Sequence, residues 1–96
     1  MKVQLLYFEG CPHWELLEAR VRAVTAGREV EVEHVRVETD EDARRWGFPG
    51  SPTLLVDGHD PFARPGAPVA LACRVYDTPA GLAGAPTEEQ VREALS

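Results

Sequence analysis

The sequence predicts a single α/β domain in which strands and helices follow one another in the order β-α-β-α-β-β-α. The first observation is a nearly continuous apolar run over residues 2–8, which is typical of a strand buried on both faces of a sheet. The second is a row of apolar residues three and four positions apart between Trp14 and Val24, which indicates an amphipathic helix. Because 96 residues have room for one hydrophobic core, we expect residues 1–96 to form one domain.

The acidic charge balance excludes several classes of partner. Ten Lys and Arg residues against sixteen Asp and Glu residues give a net charge of −6. Nucleic-acid binding depends on a basic surface, so we expect no nucleic-acid partner, and an anionic membrane surface is disfavoured for the same reason. No apolar run approaches the length of a membrane span, and the N-terminus lacks the pattern of a signal peptide. We therefore expect a cytoplasmic protein with no membrane partner.

The first half of the chain alternates strand and helix. The first apolar run ends at Gly10, and Pro12 suits the first turn of the following helix, where its missing N–H is not needed. That helix ends near Gly27. Residues 30–37 alternate apolar and charged positions but change phase at His34, which predicts a strand with a bulge or a change of burial at that point.

A short helix and a third strand come next. Thr39 or Asp40 can cap a helix that runs through Trp46 and stops at Gly47. A cluster of glycine, proline and serine follows, and the apolar residues 53–56 after it predict a strand.

The second half of the chain is richer in glycine and proline. Residues 59–68 include three prolines and one glycine, so we expect a loop there. Residues 69–76 predict another strand, and residues 77–86 predict a second loop. Thr87 and Gln90 have the spacing of a capping box, which indicates the start of a final helix.

Cys11 stands between the first strand and the first helix, where a thiol can be reactive. A helix N-terminus carries partial positive charge, which stabilises a thiolate. Such positions bring the pKa of cysteines from about 8.5 to about 3.5–7.5. The alternative interpretation is a small buried hydrophobic residue. Cys73 is the second of two cysteines, and in an intracellular chain such residues are more often reactive, metal-binding or buried than joined in a structural disulfide.

An apolar strand ends in Gly10 and Cys11, and Ser51-Pro52-Thr53 follows the second helix and leads into the third strand. With these motifs and this order of elements, the chain resembles thioredoxin-fold proteins over nearly its whole length. The resemblance implies a thioredoxin-like fold with a mixed four-stranded sheet and helices on both faces. It also implies that the bond before Pro52 is cis and that Pro52 packs beside Cys11.

The chain departs from the thioredoxin pattern at one position. Thioredoxins carry a second cysteine three residues after the first, and Trp14 stands there in this chain. Either this is a monothiol site, or another cysteine is the resolving thiol, for which Cys73 is the only candidate. If residues 69–76 pair antiparallel with residues 53–56, Cys73 comes close to Cys11, but the alternation of side chains leaves open whether Cys73 faces that site or the core.

The chain also resembles small bacterial thioredoxin-like proteins, some of which are associated with alkylmercury lyase names. The shared segments are residues 10–12, 50–53, 60–62 and 73–76. This resemblance makes the chemistry of soft metals a rival to thiol-disulfide exchange.

The first functional hypothesis is a redox enzyme, a thiol-disulfide oxidoreductase that acts on protein or small-molecule thiols and disulfides and needs no organic cofactor. Cys11 is the expected nucleophilic thiolate and Cys73 the candidate resolving thiol. His13 is a candidate acid beside the thiolate, and its alternative is a solvated residue in an exposed turn. The residues expected to bind and orient the substrate are Pro12, His13, Ser51, Pro52 and Thr53.

Two further hypotheses use the same residues. Cys11 and Cys73 offer soft ligands for binding or processing a soft metal ion or an organomercurial. The chain lacks the paired-cysteine spacing of a structural zinc site, so we expect no structural metal. The third hypothesis is a thioredoxin-like interaction module with no catalytic activity.

Overall fold

A computed structural model describes the whole chain, from Met1 to Ser96. The chain is a mixed α/β protein with five strands and three helices. None of the helices combines the length and the apolar character that crossing a membrane requires. In chain order the elements are β1 (Lys2–Tyr7), α1 (Trp14–Thr25), β2 (Glu31–Arg36), α2 (Asp40–Trp46), β3 (Thr53–Val56), β4 (Tyr76–Thr78), β5 (Gly81–Ala83) and α3 (Glu88–Ala94).

The main sheet has three strands in the order β2-β1-β3. Strand β1 lies in the centre, as its apolar run predicts, and pairs parallel with β2 and antiparallel with β3. The pairing of β1 with β2 runs in step from Lys2 opposite Glu31 to Tyr7 opposite Arg36, with no bulge.

Helices cover both faces of this sheet, as expected. Helices α1 and α3 pack on one face, and α2 packs on the other. The core on the first face consists of Val3, Leu5, Leu17, Val21, Val24, Leu54, Ala85, Val91 and Leu95. The core on the second face consists of Leu6, Val37, Ala43 and Phe48.

The change of phase within β2 reflects these two cores. Val32 packs against the first core, and Val35, three residues later, packs against the second. Residues three apart on a strand point to opposite faces, so both valines are covered without any irregularity in the backbone. The change of burial predicted at His34 is confirmed, and the alternative of a bulge is wrong.

Local capping chemistry defines two of the helices where the sequence predicts them. The Thr39 side chain accepts a hydrogen bond from the Asp42 N–H at 3.0 Å, and Gly47 ends α2 in the left-handed region at φ 61°. Thr87 and Gln90 form the complete capping box of α3. Each of these ends depends on neighbours in the sequence, which is why the pattern alone predicts it.

Helix α1 begins later than expected. Its first residue is Trp14 and its N-cap is His13, whose side chain makes no capping hydrogen bond. The Cys11 N–H donates to the Phe8 carbonyl at 3.2 Å, so the chain turns once before the helix begins. Pro12 therefore precedes the helix and does not lie in its first turn.

The predicted strand over residues 69–76 and the four-stranded sheet are wrong. Within residues 69–75 only one isolated bridge forms, in which Cys73 pairs with Ser51, and this bridge is parallel instead of antiparallel. The buried Arg74 side chain explains why residues 69–76 do not join the main sheet. It bonds to Asp60 and to the Phe62 carbonyl, and so holds residues 72–74 against the loop that contains residues 60–62.

The predicted loop over residues 77–86 is also wrong, because it contains most of a hairpin. Strands β4 and β5 form a separate two-stranded sheet, with Tyr76 opposite Ala83. Gly81, at φ 110°, and the Thr78 hydroxyl, which donates to the Gly81 carbonyl, make the turn between the strands. Pro79 and Gly81, which contribute to the prediction of a loop, lie at the tight turn of this hairpin. The chain therefore has one strand more than predicted.

Candidate functional site

The two cysteine side chains meet at the end of the main sheet. The Sγ atoms of Cys11 and Cys73 lie 3.4 Å apart, although 62 positions separate the residues in the chain. A disulfide bond is about 2.05 Å long, so the two thiols are in contact but unbonded. The sequence leaves open whether the Cys73 side chain faces Cys11 or the core, and in the structure it faces Cys11.

Cys11 is held in a buried position in the turn after β1, four residues beyond the end of the strand. It is 1% exposed, and its thiol donates a hydrogen bond to the Ser51 carbonyl at 3.2 Å. The partial positive charge of a helix acts around its first turn, and α1 begins three residues further on, at Trp14. The immediate surroundings of the Cys11 thiol are therefore the turn before α1 and the Ser51 carbonyl, not the first turn of the helix.

Cys73 is exposed and is positioned by the backbone on either side of it. The Ser51 N–H donates to the Ala72 carbonyl, and the Arg74 N–H donates to the Ser51 carbonyl, both at 2.8 Å. These two bonds hold the Cys73 segment, residues 72–74, against the residue that also binds the Cys11 thiol. The proximity of the sulfurs therefore follows from pairing of the backbone around Ser51.

The pKa of Cys73 is raised above its ordinary value. The largest cause is its hydrogen bond to the Cys11 sulfur, followed by partial desolvation and by the charge that Cys11 carries when it is ionised. All three causes favour the protonated form. Cys73 is thus a thiol at neutral pH and becomes more nucleophilic as the pH rises.

The Ser51–Pro52 peptide bond is cis, as the thioredoxin resemblance implies. Ser51, Pro52 and Thr53 are all buried. The Thr53 hydroxyl donates to the Gly50 carbonyl at 2.7 Å, and the Tyr76 hydroxyl donates to the Pro52 carbonyl. The Ser51 backbone is bonded to residues 72 and 74, so the groups expected to orient a substrate already have partners within the chain.

Arg74 forms a buried clamp, together with Asp60, Phe62 and Tyr76, that sequence reasoning does not find. Its Nη1 atom lies 2.8 Å from the Asp60 carboxylate, and its Nη2 atom donates to the Phe62 carbonyl at 2.7 Å. The guanidinium group lies 4.5 Å from the centre of the Tyr76 ring. This Arg74 clamp ties residues 60–62 to the Cys73 segment. The sequence offers two signals, which are a charged residue within an otherwise apolar run and the position of all four residues in the shared segments 60–62 and 73–76, but neither signal shows that they are in contact.

The Tyr76 hydroxyl remains protonated in this environment. Burial raises the pKa of Tyr76 well above its usual range, and the nearby positive charge of Arg74 offsets only part of that rise. Tyr76 is consequently a permanent hydrogen-bond donor to the Pro52 carbonyl at neutral pH. It fixes the start of β4 to the cis-proline.

His13 lies beside the site but does not bond to either thiol. Its ring packs against Gly84 so closely that a Cβ atom at position 84 would lie 2.3 Å from His13 Cδ2. His13, Cys73, Val75 and Leu82 line one shallow groove. Pro12 is exposed next to it. The structure thus brings the two predicted residues Pro12 and His13 to the rim of the site.

Trp14 stands three residues after Cys11, where the thioredoxin resemblance leads one to expect a second cysteine. Its ring stacks on Tyr7 with centroids 4.3 Å apart and packs against the first core. It is a partly buried structural residue, as the helical spacing indicates.

The two thiols have no neighbouring side chain that would complete a larger metal site. No group of three or more His, Cys, Asp and Glu side chains is arranged to hold a metal ion. Two thiolates by themselves suit a soft ion that accepts two ligands. The arrangement therefore offers reversible disulfide formation or two-coordinate binding of a soft metal.

No family model, curated protein or solved structure matches this chain. The chemistry of the site is therefore inferred from its own geometry.

Proposed function

We propose that this protein is a cytoplasmic thiol-disulfide oxidoreductase of thioredoxin-like fold, in which Cys11 and Cys73 alternate between two thiols and one disulfide. The observation that carries the proposal is the 3.4 Å contact between the two sulfur atoms. The fold is supported by a central β1 with parallel and antiparallel neighbours, by helices on both faces, and by a cis-proline directly before β3.

The reaction consists of two successive thiol-disulfide exchanges. One cysteine thiolate attacks a sulfur of the substrate disulfide, forms a mixed disulfide and releases the first substrate thiol. The other cysteine then attacks the sulfur of the mixed disulfide on the protein side, closes the Cys11–Cys73 bond and releases the second thiol. A protein or small-molecule thiol reduces the protein again, and no organic cofactor takes part.

Closure of the disulfide requires only a small movement. The sulfur atoms must approach by about 1.4 Å to reach a bond length of about 2.05 Å. Cys73 lies outside the regular strands, in the isolated bridge to Ser51 and three residues before β4, and its side chain is exposed. The approach therefore leaves the hydrogen bonds of the main sheet in place.

The proposal is tested by the reduction of insulin with dithiothreitol, followed through precipitation of the released chain. Catalytic amounts of the protein accelerate the reaction, and the Cys11→Ser and Cys73→Ser variants lose this acceleration because neither can close the disulfide. A folded wild-type protein that gives no acceleration, or a Cys73→Ser variant as active as the wild type, contradicts the proposal.

The second candidate function is binding of a soft metal ion, favoured by the exposure of Cys73 and by the absence of a third ligand. Two thiolates on opposite sides of such an ion lie about 4.6 Å apart, if each metal–sulfur bond is about 2.3 Å as for zinc. The present separation of 3.4 Å would have to widen by outward movement of Cys73.

Competition for copper(I) against a chelator of known affinity tests the second candidate, and mercury(II) serves as a further probe. One ion bound per chain, lost in both single cysteine variants and retained in His59→Ala, supports metal binding. His59 is a suitable control because it pairs with Val56, at the end of β3 remote from Pro52. A protein that neither turns over disulfides nor binds metal would be the third candidate, a non-catalytic interaction module.

A further inference from the structure

We infer that Cys73, and not Cys11, makes the first attack on the substrate disulfide, and that Cys11 is the resolving thiol. The inference rests on the proposed function and reverses the roles expected from the sequence. The inference is based on the difference in solvent accessibility between Cys11, which is buried, and Cys73, which is exposed, although their sulfur atoms are in contact.

Cys11 has no open approach from solvent. The residue is 1% exposed, and the Cys73 segment lies over the Ser51 carbonyl to which the Cys11 thiol bonds. Both backbone groups of Ser51 are already bonded to residues 72 and 74, so an incoming peptide cannot pair there while that segment is in place. A substrate could reach Cys11 only after residues 72–74 had moved away.

Cys73, in contrast, opens towards solvent on two sides. It lines one shallow depression together with Pro49 and Ala67, and a second one with His13 and Leu82. Cys11 lines neither of them. A disulfide in solution therefore meets the Cys73 sulfur first.

The second exchange also requires this arrangement. In such a displacement the attacking sulfur approaches on the side opposite to the leaving sulfur. When the substrate is attached to Cys73 on its solvent side, Cys11 lies 3.4 Å away on the buried side. Attack by Cys11 then expels the substrate thiolate directly into water.

The two steps balance in atoms and electrons. The Cys73 thiol loses its proton to solvent, its sulfur bonds to one sulfur of the substrate, and the substrate S–S bond breaks to release the first thiolate. The Cys11 thiol then loses its proton, bonds to the Cys73 sulfur and displaces the second thiolate. Two protein thiols are oxidised to one disulfide, and one substrate disulfide is reduced to two thiols, which take up the two protons.

The test uses dithiobis(nitrobenzoate), an aromatic disulfide that releases a coloured thiol at each exchange. The reduced Cys11→Ser variant should release one coloured thiol per chain and keep a nitrobenzoate adduct on Cys73. The reduced Cys73→Ser variant should react at least about a hundredfold more slowly, because its buried thiol is reached only from rare locally open states. A Cys73→Ser variant that reacts as fast as the wild type, with a slow Cys11→Ser variant, overturns the inference.

A measurement on the wild type keeps the test independent of the folding of the variants. A small amount of reagent followed by rapid acid quenching captures the first adduct, and tryptic peptides locate it, since arginines such as Arg20 and Arg45 separate the two cysteines. An adduct on the Cys73 peptide supports the inference, and one on the Cys11 peptide overturns it.

The wild-type reaction also separates the inference from the proposed function. Release of a second coloured thiol, with loss of the adduct, supports disulfide closure by Cys11. An adduct that persists on Cys73 overturns the proposed function and the resolving role of Cys11, but it upholds Cys73 as the site of first attack.

Discussion

Replacement of Arg74 by methionine tests whether the Arg74 clamp holds the Cys73 segment in place. Methionine keeps much of the length of the side chain and removes its charge and all its hydrogen-bond donors. The Phe62 carbonyl then loses its partner within the protein, and the Asp60 carboxylate keeps only the hydrogen bond that it accepts from the Phe62 N–H at 2.9 Å. The Thr53 hydroxyl also loses the hydrogen bond that it accepts from Arg74 at 3.1 Å.

The expected loss of stability follows from the burial of the Arg74–Asp60 pair. The two side chains are 7% and 15% exposed, so removal of one partner leaves the other charge largely desolvated. Breaking a buried pair in this way costs about 3–5 kcal/mol. A domain of this size is stable by about 5–15 kcal/mol, so Arg74→Met should fold but be strongly destabilised.

Urea denaturation followed by circular dichroism measures the effect, and Arg64→Met is the matched control. Arg64 forms an ion pair with Asp77 at 2.7 Å, but these side chains are 61% and 66% exposed. Exposed pairs contribute only about 0–1 kcal/mol, so the control should lose little. In thermal unfolding, Arg74→Met should lower the Tm by more than about 12 °C, at about 4 °C or more per kcal/mol.

Equal losses in the two variants, within about 1 kcal/mol, would refute this account of the clamp. A second readout is the rate at which the Cys11–Cys73 disulfide closes in oxidised glutathione. Closure should be slower in Arg74→Met than in Arg64→Met, because the loosened Cys73 segment holds the two sulfurs in contact for less of the time.

Three further predictions concern the surroundings of the thiols. The pKa of Tyr76 is raised in the folded protein, so the free energy of unfolding should not depend on the ionisation of Tyr76 below pH 10.0. Above pH 10.0 the tyrosine ionises in the unfolded chain first, and the free energy of unfolding should fall by up to about 1.4 kcal/mol per pH unit. In urea denaturation, Tyr76→Phe should remove this dependence on pH. Gly84→Ala should lower the free energy of unfolding by about 1–3 kcal/mol, because the added methyl group overlaps the His13 ring. If Gly84→Ala lowers it equally in the wild-type and His13→Ala backgrounds, the overlap is not the cause. Cys11→Ala should lower the pKa of Cys73, because the substitution removes the hydrogen bond and the charge that raise this pKa. The rate of alkylation of Cys73 as a function of pH measures the pKa, and an unchanged or higher value would contradict the prediction.

Local chemistry explains which parts of the fold are predictable from the sequence. The Thr39 cap, the Gly47 stop and the capping box at Thr87 each involve residues within a few positions of one another, so their patterns predict the bounds of α2 and α3. The apolar run of β1 predicts a central strand because that strand is covered on both faces.

The remaining features depend on contacts between distant residues. Residues 69–76 have the composition of a strand, but the bonds from Arg74 to Asp60 and Phe62 decide their course. The orientation of Cys73 depends on its bridge to Ser51, and no periodicity within the segment determines that register. The candidate thiols were predictable as residue types, whereas their contact and their unequal exposure were not.

The most direct test of the central claim is the mass of the wild-type protein after equilibration with oxidised and reduced glutathione. We predict a species lighter by two hydrogen atoms, with no free thiol, no attached glutathione and a peptide in which Cys11 is linked to Cys73. A folded protein that keeps both thiols free, or that carries glutathione on Cys73 without closing the bond, would contradict a role for the pair in thiol-disulfide exchange.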